Sequence, residues 1–172
     1  MLLNQVGRPQ ILGAAFMAIA MTVVVGTALG FEHIGGFVPC KLCLEQRQPY
    51  YIGVPIAVVT LIGAYLRWPA VIVRGGLLIV ALLMAYGLAL GVYHSGVEWA
   101  WWMGPADCST SSTTGITTDA NNLLGALDDI TPPSCDQAAG RFLGLSFAGW
   151  NVIASFVLML VSLKAALAKN AL

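Results

Sequence analysis

Apolar residues form four long runs along this chain, and most of the polar residues lie between them. The uncharged runs cover residues 11–31, 50–66, 75–93 and 145–163. A helix needs roughly 17–25 apolar residues to cross about 30 Å of hydrocarbon, and each run approaches that length. The pattern therefore predicts an all-α membrane protein, a bundle of four transmembrane helices in a single integral membrane domain over residues 1–172.

The composition agrees with a protein embedded in a lipid bilayer. Hydrophobic residues make up 58% of the chain and charged residues only 9%, whereas soluble domains carry about 25% charged residues. The formal net charge is +0, so the chain lacks the excess of positive charge that binds nucleic acid. The partner that the composition indicates is the bilayer itself.

The distribution of Lys and Arg predicts the orientation in the membrane, because positively charged loops stay cytoplasmic. Both terminal segments and the short loop 67–74 carry five of these residues, namely Arg8, Arg67, Arg74, Lys164 and Lys169. Loops 32–49 and 94–144 carry Lys41, Arg47 and Arg141. We therefore expect cytoplasmic termini, with these two loops facing the exterior, the periplasm or a lumen. Every cysteine lies in these two loops, where disulfides form and persist.

The first loop contains the motif Cys40-Lys41-Leu42-Cys43, just before the second run. Two cysteines at this spacing close a small disulfide ring, and a helix N-terminus stabilises a thiolate. Pro39 disfavours helical geometry in the preceding residue and so helps to set the start of that helix. Lys41 and Arg47 add positive charge. The motif predicts a redox-active pair, and the alternative is an inert staple.

The third loop contains the other two cysteines, Cys108 and Cys135. A disulfide between them would contribute about 3–4 kcal/mol if it only held the loop. The Ser/Thr-rich tract 109–118 instead predicts mobility, which would let one sulfur reach a partner. Two pairs in one chain suggest a relay of electrons by thiol–disulfide exchange. No metal site is expected, because neither cysteine belongs to a second Cys-x-x-Cys.

A relay needs a terminal electron acceptor, and the chain has no glycine-rich fingerprint for a flavin or a dinucleotide. Cys43 lies at the predicted membrane edge, where a lipid-soluble oxidant such as a quinone could reach it. Arg47 lies at i+4 from Cys43, hence on the same helix face, where its guanidinium can donate hydrogen bonds to a quinone carbonyl. His94 follows the third run and is a second candidate for lining the site. The alternatives are an interfacial Arg anchor and an interfacial His.

Several segments together resemble the bacterial disulfide-bond formation protein B (DsbB) family over essentially the whole chain. The resemblance rests on residues 40–47 (Cys-Lys-Leu-Cys-Leu-Glu-Gln-Arg), on Tyr93-His94 and Gly96-Val97-Glu98, and on the approach 104–108 (Gly-Pro-Ala-Asp-Cys). It implies a quinone-dependent thiol oxidase of the bacterial inner membrane.

The resemblance also implies roles for individual residues. Cys40 and Cys43 match the pair that a quinone reoxidises, with Cys43 facing the quinone and ubiquinone favoured over menaquinone. Cys108 and Cys135 match the pair that oxidises a periplasmic DsbA-like dithiol protein, with Cys108 captured by that partner. Arg47 and His94 match quinone-site residues.

Two alternatives remain at this point. A vitamin K epoxide reductase-like protein also combines a four-helix bundle, loop cysteines and a quinone, but there the loop cysteines precede the Cys-x-x-Cys, the reverse of the order here. A non-catalytic membrane scaffold with structural disulfides is the second alternative.

Overall fold

The computed structural model describes residues 6–105, 135–136, 138 and 140–168. Within these residues the chain forms four helices and one short hairpin. The helices are α1 (Arg8–His33), α2 (Lys41–Tyr65), α3 (Ala70–Glu98) and α4 (Phe147–Leu167). The hairpin pairs β1 (Arg141–Phe142) with β2 (Leu145–Ser146) in antiparallel register.

The four helices pack as a ring in chain order. The contact between α3 and α4 is the most extensive, α1 contacts both α2 and α4, and the diagonal pair α1 and α3 barely meet. Apolar side chains from all four helices meet at the centre, where Met17, Met21, Tyr50, Met84 and Leu158 are among the buried residues. The ring leaves room near the start of α2 for the site described below.

Three of the described helices, α1, α3 and α4, are long and apolar enough to cross a membrane. Their outward faces carry large apolar side chains, such as Leu12, Leu82 and Phe156, as expected of helices that contact lipid. The chain is therefore a multi-pass membrane protein, and its described residues are all-helical apart from the small hairpin. A span by α2, which contains Pro49 and Pro55, remains a prediction.

The helices do not end where the predicted spans end. Helix α2 begins at Lys41, at the helix start that Pro39 predicts and ahead of the span predicted from residue 50. Helix α3 continues to Glu98, beyond residue 93, and α4 begins at Phe147. Hydropathy reports where the chain can lie in hydrocarbon, whereas the backbone hydrogen bonds and caps set the helix ends. Ser146 caps α4 by accepting the Gly149 N–H at 3.2 Å.

Helices α3 and α4 approach each other closely at Gly91. A Cβ built on this glycine would lie 3.0 Å from Val152 Cγ2 and 3.3 Å from the Val152 backbone nitrogen. Small residues commonly permit such close approach between membrane helices. The Val152 backbone nitrogen cannot move away as the end of a flexible side chain would. This contact therefore limits the size of the residue at position 91.

Gly91→Ala should therefore destabilise the protein by about 1–3 kcal/mol, the usual cost of overpacking. Thermal unfolding in detergent micelles measures the change. Gly26→Ala is the matched control, because nothing lies within 4 Å of a Cβ at that position, and it should leave stability unchanged or raise it. Equal losses in the two variants would contradict a close α3–α4 contact.

Candidate redox site

The two cysteines of the first loop lie at the start of α2. Cys40 is the N-cap residue, with φ −74 and ψ 171, and its sulfur accepts the Cys43 backbone N–H at 3.3 Å. The Cys40 and Cys43 sulfurs share a hydrogen bond at 2.8 Å, and both thiols are free. The N-cap geometry thus places both sulfurs on the first turn, where backbone N–H groups favour a thiolate.

His94 reaches the pair from α3. Its Nε2 atom lies 3.7 Å from the Cys40 sulfur and 3.8 Å from Glu98 Oε1. The His94 side chain and Cys40 are each 2% exposed. The extension of α3 beyond the predicted span puts this histidine inside the bundle, and not in a loop.

The hydrogen bonds around Cys40 favour its charged form. The hydrogen bond with Cys43 and, after it, the one with His94 lower the pKa of the Cys40 thiol from 9.0 to about 4, although burial acts in the opposite direction. From the sequence, positive charge on Lys41 and Arg47 was expected to favour the thiolate. In the structure, the causes that lower the Cys40 pKa are contacts with Cys43 and His94.

Arg47 lies one turn beyond Cys43 and is held by α1. Its guanidinium forms an ion pair with Glu32, and its second terminal nitrogen donates to the Ala28 carbonyl at 3.4 Å. The Arg47 side chain is 13% exposed. The ion pair joins the ends of α1 and α2 beside the cysteine pair.

A cavity of about 450 Å³ opens beside these residues. Its walls are mostly apolar and aromatic and come from α1, α4 and the hairpin, including Val24, Phe31, Phe147 and Trp150. One end is polar, and there the lining includes Cys43, Gln46, Arg47, His94 and Asn151. Cys43 lines the cavity, whereas Cys40 lies behind it in the protein.

Polar side chains from three helices form a hydrogen-bond network at the polar end of the cavity, where Gln46, Tyr50, His94 and Asn151 line its wall. Gln46 Nε2 lies 2.5 Å from His94 Nδ1, and Asn151 Nδ2 donates to Gln46 Oε1 at 2.7 Å. The Tyr50 hydroxyl donates to Asn151 Oδ1 at 2.8 Å and lies 3.0 Å from Ser155 Oγ. This network supports His94 from the side opposite Cys40.

The other cysteine pair is described only in part. Cys135 is fully buried and disulfide-bonded, and it packs in one apolar cluster with Cys40, Leu42 and Val97. Cys108 and the Ser/Thr tract 109–118 lie outside the described residues. The five predicted site residues that the structure describes, namely Cys40, Cys43, Arg47, His94 and Cys135, lie in one region of the bundle.

Glu32, Gln46, Tyr50 and Asn151 were not predicted as site residues from the sequence. A signal for Glu32 was present, because it is an acidic residue at the end of one apolar run and Arg47 is a base at the start of the next. The other three are polar residues in or beside apolar runs. Polar groups inside membrane segments are costly and therefore often functional.

Comparison with known proteins agrees with the redox chemistry that the cysteine pair indicates. The profile of the family described as "Disulfide bond formation protein DsbB" matches residues 11–165. This match covers most of the chain. The chain belongs to the DsbB family. DsbB membership implies an oxidoreductase that generates disulfide bonds at a membrane.

Two relatives match this chain over most of their own length. A disulfide bond formation protein B of Polaromonas sp. (strain JS666 / ATCC BAA-500) is 29% identical over 151 residues, which cover 87% of this chain and 86% of the relative. An uncharacterized protein of Rickettsia prowazekii (strain Madrid E) is 25% identical over 155 residues, 89% of this chain and 85% of the relative. No solved structure gives a significant match.

The lowered pKa of Cys40 leads to a pH-dependent prediction. In a Cys108→Ser/Cys135→Ser background with the first pair reduced, the ultraviolet absorbance of one thiolate should appear as the pH rises through about 4, well below the ordinary 9.0. The thiolate is the charged form, so a lowered pKa means that it persists at neutral pH and is lost only on acidification.

Two variants test the cause of this shift. Cys43→Ala should move the Cys40 titration to higher pH most strongly, and His94→Phe should move it less, following the order of the two contributions. A titration near 9.0 in the Cys108→Ser/Cys135→Ser background without a further change would show that these contacts do not stabilise the thiolate.

Proposed function

We propose that this protein is a quinone-dependent thiol oxidase of the bacterial inner membrane, which reoxidises a periplasmic DsbA-like dithiol protein. One observation carries the proposal. Cys43 lines an apolar cavity while its neighbour Cys40 packs against the buried Cys135. The first-loop pair therefore has one sulfur directed to a lipid-soluble ligand and the other to the second cysteine pair.

The cavity fits the ring of a quinone. Apolar and aromatic walls suit a flat ring with an isoprenoid tail, and the few polar groups at one end suit its carbonyl oxygens. A bound quinone supplies oxidation, because it accepts two electrons and two protons. Arg47 and His94 are the residues that we propose to hold a carbonyl there. We propose ubiquinone as the natural acceptor, and assays with menaquinone distinguish the two.

The protein's own cysteines carry the electrons between partner and quinone. We propose that Cys135 pairs with Cys108, which the DsbA-like protein attacks. The released Cys135 thiolate then attacks the Cys40 sulfur of the oxidised first pair. The Cys40–Cys43 bond breaks, a Cys40–Cys135 bond forms, and the electron pair of the broken bond remains on Cys43 as a thiolate beside the cavity. The packing of Cys135 against Cys40 supports this order.

The proposed orientation puts loops 32–49 and 94–144 in the periplasm and both termini in the cytoplasm. The Lys and Arg bias supports it. We also propose α2 as the fourth span, because its outward face carries apolar residues such as Ile52, Val59 and Ile62. Bacteria keep the periplasm oxidising through DsbA, DsbB and quinone, a setting in which such a topology is functional.

Purified protein in micelles should form quinol when it is given a reduced DsbA-like protein and ubiquinone. Cys43→Ser should abolish quinol formation, because the sulfur beside the cavity is lost. Quinone absorbance follows the reaction, and reactions without the thiol protein are the control. A wild-type protein that forms no quinol with ubiquinone or menaquinone would contradict the proposal and favour a scaffold.

Arg47→Ala should raise the KM for quinone about tenfold to one hundredfold, the expected cost of a lost hydrogen bond to a charged group. Exchange with the thiol protein should remain intact. Glu32→Gln should act in the same direction but less, because the guanidinium keeps its charge and loses only its ion-pair partner. Arg67→Ala, on an exposed residue at the other end of α2, is the matched control. An unchanged quinone KM in Arg47→Ala would make Arg47 an interfacial anchor.

A further inference from the structure

In the hydrogen-bond network that ends at His94, the donor and the acceptor of each link can be assigned. The proposed function does not depend on this assignment. The network runs from Tyr50 and Ser155 through Asn151 and Gln46 to His94. Gln46, Tyr50, His94 and Ser155 are buried, so water does not readily replace a missing partner. Each donor in the chain must therefore face an acceptor, and the direction of one link determines the direction of the next.

The direction is anchored at Asn151. Its Nδ2 atom lies 3.4 Å from the Gly87 carbonyl oxygen, which can only accept a hydrogen bond. The amide nitrogen of Asn151 therefore faces Gly87 and Gln46, and its oxygen remains for the hydroxyl groups of Tyr50 at 2.8 Å and Ser155 at 3.3 Å. Hydroxyl groups can donate, so this arrangement satisfies every member.

The orientation of Asn151 also determines how Gln46 meets His94. Because Asn151 Nδ2 donates to Gln46 Oε1 at 2.7 Å, the other end of the Gln46 amide is its nitrogen. The Gln46 amide nitrogen can only donate hydrogen bonds, and it lies 2.5 Å from His94 Nδ1. Nδ1 must therefore accept, which leaves the proton of the neutral ring on Nε2.

We propose that Gln46 and Asn151 are positioning residues that hold His94 as its Nε2–H tautomer and direct this N–H at the Cys40 sulfur. The inference rests on the proposed function only in taking Cys40 as a redox cysteine. The N–H lies on the side of Cys40, 3.7 Å from its sulfur, with Glu98 as the next group at 3.8 Å. His94 thus donates its Nε2 hydrogen to the Cys40 thiolate.

The Nε2–H tautomer of His94 also bears on whether Cys40, Cys43 and His94 bind a metal ion. The donor atoms of Cys40, Cys43 and His94 lie within 4.8 Å of one another, close enough to share an ion. A metal would need the free electron pair of Nε2, and a metal-bound histidine usually donates its other ring N–H to an acceptor. Here Nδ1 faces a donor instead. The network therefore favours a hydrogen bond to sulfur over coordination of a metal.

The tautomer can be measured directly by NMR on protein labelled with ¹⁵N-histidine at neutral pH. The sequence contains two histidines, His33 and His94, so a His33→Gln variant assigns the His94 signals. We expect an unprotonated, pyridine-type Nδ1 and a protonated, pyrrole-type Nε2. Protonation of His94 at Nδ1, or at both nitrogens, would overturn the inference.

Asn151→Asp is the sharpest variant, because residue 151 does not contact His94. A carboxylate accepts but does not donate, so Gln46 must turn its amide nitrogen toward residue 151 and its oxygen toward His94. The His94 proton should then move to Nδ1, and the Cys40 thiolate titration should shift to higher pH. Gln48→Leu is the matched control, because Gln48 is an exposed residue of α2, the helix that carries Gln46. It should change neither the His94 tautomer nor the Cys40 titration.

Two outcomes separate this inference from the proposed function. An unchanged His94 tautomer in folded Asn151→Asp protein would overturn the inference, whatever the rate of quinol formation. If this variant does not fold, Gln46→Glu applies the same test at the adjacent link, where a carboxylate should draw a proton onto Nδ1. Absence of quinol formation in wild-type protein with the expected tautomer would instead count against the proposed function alone.

Discussion

A polar group inside this bundle is stabilised when it finds a partner within the protein, because neither lipid nor the apolar core can satisfy it. Ser162 donates to the Leu77 carbonyl at 2.7 Å between α4 and α3, and Arg47 pairs with Glu32 between α2 and α1. The Gln46–Asn151 link joins α2 to α4. Each pair fixes the relative position of two helices. The geometry of the redox site is therefore a consequence of how the bundle satisfies its buried polar groups.

The start of α2 makes this constraint chemically useful. Cys40 has N-cap geometry, so its sulfur receives a backbone N–H that the first turn leaves without a helical partner. His94 adds a second donor from another helix. The result is one cysteine buried among hydrogen-bond donors and a second, Cys43, beside an apolar cavity. Two neighbouring sulfurs thus experience different environments, which suits a pair that receives electrons on one side and releases them on the other.

The same arrangement explains why Arg47 can contribute to the cavity without acting on Cys40. Its charge is balanced by Glu32, and its side chain extends from α2 toward α1. An ion pair that is largely removed from water holds a fixed geometry better than an exposed one. The guanidinium is therefore held at the polar end of the cavity instead of moving freely at the membrane surface.

The sequence alone determined the helical class, the family and the grouping of Cys40, Cys43 and Arg47, because hydropathy runs and i, i+3 and i+4 spacings are local properties of the chain. The tertiary structure decided where α3 ends, how His94 approaches Cys40 and which residues support it. Gln46 and Asn151 are 105 positions apart, and no periodicity relates them. Their pairing depends on the way α3, which contacts both α2 and α4, holds these two helices across the bundle from each other, and so does the direction in which His94 presents its proton.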